Sequence, residues 1–166
     1  MAGRAPTPSQ TVGPFFGFAL PFTGDADAVP SGAPGAHRIE GQVLDGTGQP
    51  VSDCLLEVWD DEQFARCRTD AEGAFHFNVS KPPAMRVADG RLRAPHLNLT
   101  IFARGLLRHL VTFVYFPDEK EANDADPVLE LLGPEVRETL IARQDGEVLH
   151  FDIHLQGNDE TAFFAL

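Results

Sequence analysis

The residues best suited to chemistry lie in RAPHLNLTIFARG, Arg93 to Gly105. Leu97, Leu99 and Ile101 alternate there with His96, Asn98 and Thr100. Period-two alternation sends one set into a core and gathers the other on one opposite face. A His-x-His pair on such a face would be a two-ligand clamp. Here the second position is Asn98, whose neutral amide is a poor ligand for a hard, charged metal. Without a ligand set around it, His96 reads as a polar strand residue satisfied by its neighbours. His150, Asp152 and His154 also alternate, with Leu149, Phe151, Ile153 and Leu155. They could form a metal-binding face, since imidazole and carboxylate suit borderline metals. A half-exposed strand meeting water or a partner is the commoner reason for that pattern.

Arg104 closes the FARG strand end. A guanidinium there could grip a carboxylate through two hydrogen bonds. It could equally form an exposed ion pair worth little energetically. Thr11, Gly13 and Pro14 stand in an irregular stretch. Gly lets backbone approach a ligand closely and Pro fixes a bend, although a plain entry loop has the same composition. No glycine-rich phosphate loop is present, and nothing beyond residue type supports a Ser-His-Asp site.

Positioning these groups is a task for strands. The chain has 166 residues, enough for one domain with its own core. Residues 1–36 are rich in Pro, Gly, Ala and Thr and read as an irregular arm. Phe15, Phe16, Phe18, Leu20 and Phe22 crowd into it, and disordered tails are poor in aromatics, so the arm should pack on something. Residues 37–166 read as β. Ile39, Gly41 and Val43 alternate, and DGTGQP is a turn cluster. CLLEVW reads as a buried strand, and AFHFNV places Phe75, Phe77 and Val79 on one face. Residues 81–93 read as loop. The His96 strand and HLVTFVYF follow. DEKEANDADP predicts a short helical turn ended by Pro127. QDGE predicts a hairpin between RETLIA and VLHFDIHL. Many short alternating strands predict an all-β fold, an antiparallel β-sandwich with an irregular N-terminal arm.

Composition narrows the partners. The formal net charge of −12 argues against nucleic acid and anionic membrane surfaces. Cys54 and Cys67 do not make a disulfide framework. The N-terminal stretch MAGRAPTPSQ lacks an apolar signal core, and no apolar run is long enough to span a bilayer. A cytoplasmic setting is the expectation.

Beyond these readings, the chain resembles the intradiol ring-cleavage dioxygenases. The matching segments are TPSQTVGPFF, GQVLDGTGQPV, LEVW, APHLNLTIFARG, RETLIAR and FDIHLQGNDETAFF, in that order and nearly end to end. The family holds non-haem iron(III) with two tyrosines and two histidines, the histidines on an Arg-x-x-His-x-His strand. This chain keeps Arg93 and His96. Asn98 replaces the second histidine. Met85 stands after the Lys81–Pro82 turn where a tyrosine belongs, and Phe64 is the only aromatic near the first tyrosine's place. The composition contains one tyrosine, Tyr115, so a two-phenolate site cannot form within one chain. The resemblance is therefore to the family's iron-free alpha chains, which share a transthyretin-like sandwich with a homologous iron-binding beta subunit. It implies no metal and no catalytic residue on this chain, and iron(III) held by the beta subunit in the holoenzyme. It implies a hetero-oligomer acting on an aromatic small molecule, protocatechuate. In it, Thr11, Gly13 and Pro14 reach over the partner's pocket, and Arg104 stands near the substrate entrance. Arg93, lacking a metal to assist, reads as a relic or a loop charge. Two other readings stay open: a stand-alone small-ligand-binding module, and a metalloenzyme using His150, Asp152 and His154.

Overall fold

Apolar alternation dictates most of the secondary structure in the computed structural model, which describes residues 7–13 and 15–165. In chain order the elements are α1 (Phe16–Ala19), β1 (Ala36–Leu44), β2 (Leu55–Trp59), β3 (Phe64–Arg68), β4 (Ala74–Ser80), β5 (Met85–Arg86), β6 (Leu92–Arg93), β7 (His96–Phe102), β8 (Leu110–Tyr115), α2 (Lys120–Asp124), α3 (Pro134–Glu138), β9 (Arg143–Asp145), β10 (Val148–His150) and β11 (Ile153–His154). A short 3-10 turn, Leu129–Leu131, precedes α3. The chain is all-β, with helix confined to short connecting pieces.

Four strands form one sheet in the order β3-β2-β7-β8, antiparallel throughout. The second sheet is built on β1, with β4 antiparallel on one edge and β10 and β11 on the other. The pairings are antiparallel as expected except that β10 and β11 run parallel to β1. The hairpin at QDGE forms as expected, with Gly146 at φ 59° in its turn. Its upstream limb is shorter than predicted. RETLIA is not a strand, because Gly133 and Pro134 open a helical turn in which Pro occupies the first position, where its missing N–H has no intrahelical acceptor to lose. The segment 81–93 is not pure loop either, since β5 and β6 pair within it.

The alternating side chains of both sheets meet in one apolar cluster. Ile39, Val43, Phe75 and Phe77 from one sheet join Leu56, Val58, Leu97, Leu99 and Ile101 from the other. A second cluster of Ala94, Phe113, Tyr115, Leu129 and Leu140 covers the opposite face of β8. That is why HLVTFVYF shows a near-continuous apolar run rather than alternation.

Gly41 carries a specific steric demand. Between β10 and β11 the chain crosses β1 closely, with the Phe151 amide donating to the Glu40 carbonyl at 2.8 Å. A Cβ on Gly41 would lie 1.9 Å from the Phe151 carbonyl oxygen. The obstructing Phe151 carbonyl is backbone and cannot swing aside as a side chain would. Gly41→Ala is expected to lower unfolding stability by about 3 kcal/mol, read by urea denaturation. A loss below about 0.5 kcal/mol would show that β1 and the crossing segment separate freely.

Candidate functional site

Strand β7 carries the candidate residues at two ends, roughly 20 Å apart at the usual strand rise. His96 and Asn98 lie at one end, and Arg104 follows the other.

At the first end, the Asp60–Gln63 loop, the Ser80–Met85 segment, His96 and Asn98 line a pocket of about 380 Å³. His96 is buried, and its Nδ1 sits 2.7 Å from the Ala94 carbonyl oxygen. Burial holds its pKa below the usual imidazole range, and the nearby Arg93 charge acts in the same direction. The ring stacks on Tyr115 at 5.2 Å. Asn98 donates its side-chain N–H to the Trp59 carbonyl at 3.1 Å. Met85 is exposed on β5. One neutral imidazole, one amide and one thioether do not fit iron(III), which needs hard anionic oxygen. Tyr115 cannot supply it. Its hydroxyl is engaged elsewhere, and burial pushes its pKa upward, away from phenolate. Among the described residues no three His, Cys, Asp or Glu groups gather to hold a metal ion.

Sequence reasoning missed what Tyr115 does instead. Arg93 is not a loop charge. It is 8% exposed and lies over the Phe113 ring with its guanidinium carbon 4.3 Å from the centroid. Its Nη2 donates to the Tyr115 hydroxyl at 2.5 Å, and that hydroxyl donates to Asp126 Oδ1 at 3.2 Å. Asp126 is fully buried. It also accepts from the backbone N–H groups of Ala94, Val128 and Leu129. The one available signal was Asp126-Pro127, since an Asp side chain before Pro favours a turn in which it captures following amides.

At the other end, Gly105 N–H donates to Thr11 Oγ1 at 3.1 Å. This bond ties the N-terminal segment to the residue after Arg104. Arg104 itself is 72% exposed and pairs with Asp53. A Cβ on Gly13 would meet nothing within 4 Å, so no packing among the described residues requires glycine there. Pro14 lies outside the described residues. The structure thus brings Thr11 and Arg104 together and keeps both away from His96.

His150, Asp152 and His154 do not converge. His150 stands opposite Glu40 and His154 opposite Leu44 on β1, while Asp152 accepts the Gln42 amide. Cys54 and Cys67 are free and buried, and burial, with the Asp53 charge adding to it, pushes the Cys54 thiol up to about 12. No helix among the described residues is long and apolar enough to cross a membrane.

No protein-family model matches the chain. Curated relatives do. The protocatechuate 3,4-dioxygenase alpha chain of Burkholderia cepacia is 40% identical over an alignment of 192 residues covering 95% of this chain and 96% of its own. The alpha chain of Pseudomonas putida is also 40% identical, covering 95% of each. The Burkholderia cepacia beta chain is 32% identical over 81% of this chain and 71% of its own. Among solved structures, the dioxygenase domain of a dioxygenase carbohydrate-binding fusion from Streptomyces sp. SirexAA-E superposes with a TM-score of 0.60 at 26% identity, over 92% of this chain and 99% of that one. Catechol 1,2-dioxygenase from Pseudomonas arvilla C-1, at 23% identity and a TM-score of 0.54 over 79% of this chain and 55% of that one, shares the fold. The chain therefore belongs to the intradiol ring-cleavage dioxygenase family, in the line of the protocatechuate 3,4-dioxygenase alpha chains.

Proposed function

We propose that this chain is the iron-free alpha subunit of a cytoplasmic protocatechuate 3,4-dioxygenase: a β-sandwich of residues 37–166 with a partner-docking arm of residues 1–36. The holoenzyme cleaves 3,4-dihydroxybenzoate with O2 to 3-carboxy-cis,cis-muconate, on iron(III) held by a homologous beta subunit. No step runs through a metal on this chain. Its share is to wall the partner's pocket and to orient the substrate, which removes rotational freedom before the chemical step. Thr11, Gly13, Pro14 and Arg104 are the substrate-facing residues in this reading. The observation that carries it is the Thr11–Gly105 hydrogen bond, which sets the arm beside Arg104. The pair lies about one strand length from the His96 pocket, at the opposite end of β7. Gly13, whose Cβ position meets nothing among the described residues, would allow close approach from outside.

Steady-state kinetics of the reconstituted complex tests this. Arg104→Ala is expected to lower kcat/KM for protocatechuate about tenfold or more, through KM, because a charge-assisted hydrogen bond is worth roughly 1.5–3 kcal/mol. Catechol lacks the carboxylate and should be much less affected. Arg104→Lys should recover only part, since an ammonium lacks the planar fork. Equal losses on both substrates would assign Arg104 to the subunit interface. The pocket beside His96 supports a second reading, a stand-alone ligand-binding module. Co-purification with an iron-bearing homologue decides between the two.

A further inference from the structure

The pocket at the His96 end of β7 combines a buried imidazole with an acidic rim. His96 is 7% exposed and uses Nδ1 toward the Ala94 carbonyl. A carbonyl only accepts, so Nδ1 carries the proton and Nε2 offers a lone pair. Among the described residues Nε2 has no hydrogen-bond partner, and the ring lines the pocket. Asn98 spends one of its two side-chain N–H groups on the Trp59 carbonyl, and its Oδ1 stands as an acceptor on the same face of β7. Two other polar side chains of the lining are held within the chain. Gln63 Nε2 donates to Asp60 and to the Ser80 carbonyl. Lys81 Nζ is bound by Asp118 and Glu119. The rim adds the carboxylates of Asp60, Asp61 and Glu62, of which Asp61 and Glu62 have no ion-pair partner among the described residues. Val29, Pro82, Pro83 and Met85 supply apolar wall.

We propose that this pocket binds a small organic cation, an ammonium group carried on an apolar body. Its N–H donors meet His96 Nε2 and Asn98 Oδ1, and its charge faces the Asp60–Glu62 rim. An aromatic carboxylate meets like charge at that rim and is disfavoured. The site needs no metal and no partner chain. It goes beyond the subunit role proposed above and stands whether or not that role does.

Calorimetric titration of the full-length chain near neutral pH tests the assignment. Benzylamine, benzyl alcohol and benzoate share a ring and differ in charge. Benzylammonium is expected to bind about tenfold tighter than benzyl alcohol, and benzoate to show no saturable binding. Asp61→Lys, at an exposed position, should weaken benzylammonium binding about fivefold or more. His96→Phe keeps an aromatic ring against Tyr115 but removes Nε2, and should weaken it about tenfold. If His96→Phe fails to fold, the charge series and Asp61→Lys decide. Benzoate binding as tightly as benzylammonium would overturn the proposal. So would the absence of benzylammonium binding at millimolar concentration, or affinity unchanged by Asp61→Lys.

Discussion

Removing residues 1–22 is expected to weaken association with the beta partner by about a hundredfold or more, while the truncated chain keeps its cooperative thermal transition. The asymmetry follows from where the aromatic side chains are. Phe15, Phe18 and Phe22 are 77%, 75% and 60% exposed. They contribute little to this chain's own core, yet buried aromatic anchors commonly contribute about 2 kcal/mol or more each at an interface. The segment is held to the body mainly by polar contacts. Arg66 and Arg68 donate to the carbonyls of Leu20 and Gly17, and the Arg68 guanidinium lies over the Phe18 ring at 5.3 Å. Such exposed contacts are individually weak. Titrating tagged partner against intact and truncated chain, with melting curves of each alone, separates the two effects. A truncated chain that loses its transition but still binds would reverse the assignment.

Asp126→Ala should be among the most destabilising single changes, at about 3–5 kcal/mol. It would leave the buried Arg93 guanidinium without the carboxylate that lies 3.8 Å from its Nε, and would orphan the amides of Ala94, Val128 and Leu129. Thermal melting should fall by roughly 10 °C. Arg93→Met is expected to cost distinctly less. It removes the charge along with its demand, keeps an apolar stem over Phe113, and leaves the carboxylate its three backbone donors. Equal costs for the two variants would mean that the guanidinium, rather than the carboxylate, organises this region.

Some of this was readable from residue order alone. Leu97, Leu99 and Ile101 announced β7, and Phe75, Phe77 and Val79 announced β4, because each alternation spans one whole strand. β3 stayed hidden because its inward residues, Ala65 and Cys67, are small and its outward ones are Phe64, Arg66 and Arg68. That inverts the usual contrast on which periodicity depends. The parallel pairing of β10 and β11 with β1 joins segments about a hundred residues apart, and local pattern has no access to it. At the candidate site, the missing ligands at Asn98 and Met85 were visible as residue types. The Arg93–Tyr115–Asp126 network was not, since it exists only once β8 and the turn after α2 close over β6. Likewise, Thr11 and Gly105 carry no mark in their own neighbourhoods of being hydrogen-bonded across the chain.

The placement of two unlike regions at opposite ends of β7 has an evolutionary corollary. A rigid strand lets each terminus be selected on its own terms. In chains of this line, substitutions around Met85 and Asn98 should follow whatever ligand that pocket holds. On the proposed partner-facing role, those around Thr11 and Arg104 should be held by co-adaptation with the gene for the partner, so that the two coding sequences change together at one end of the strand and independently at the other.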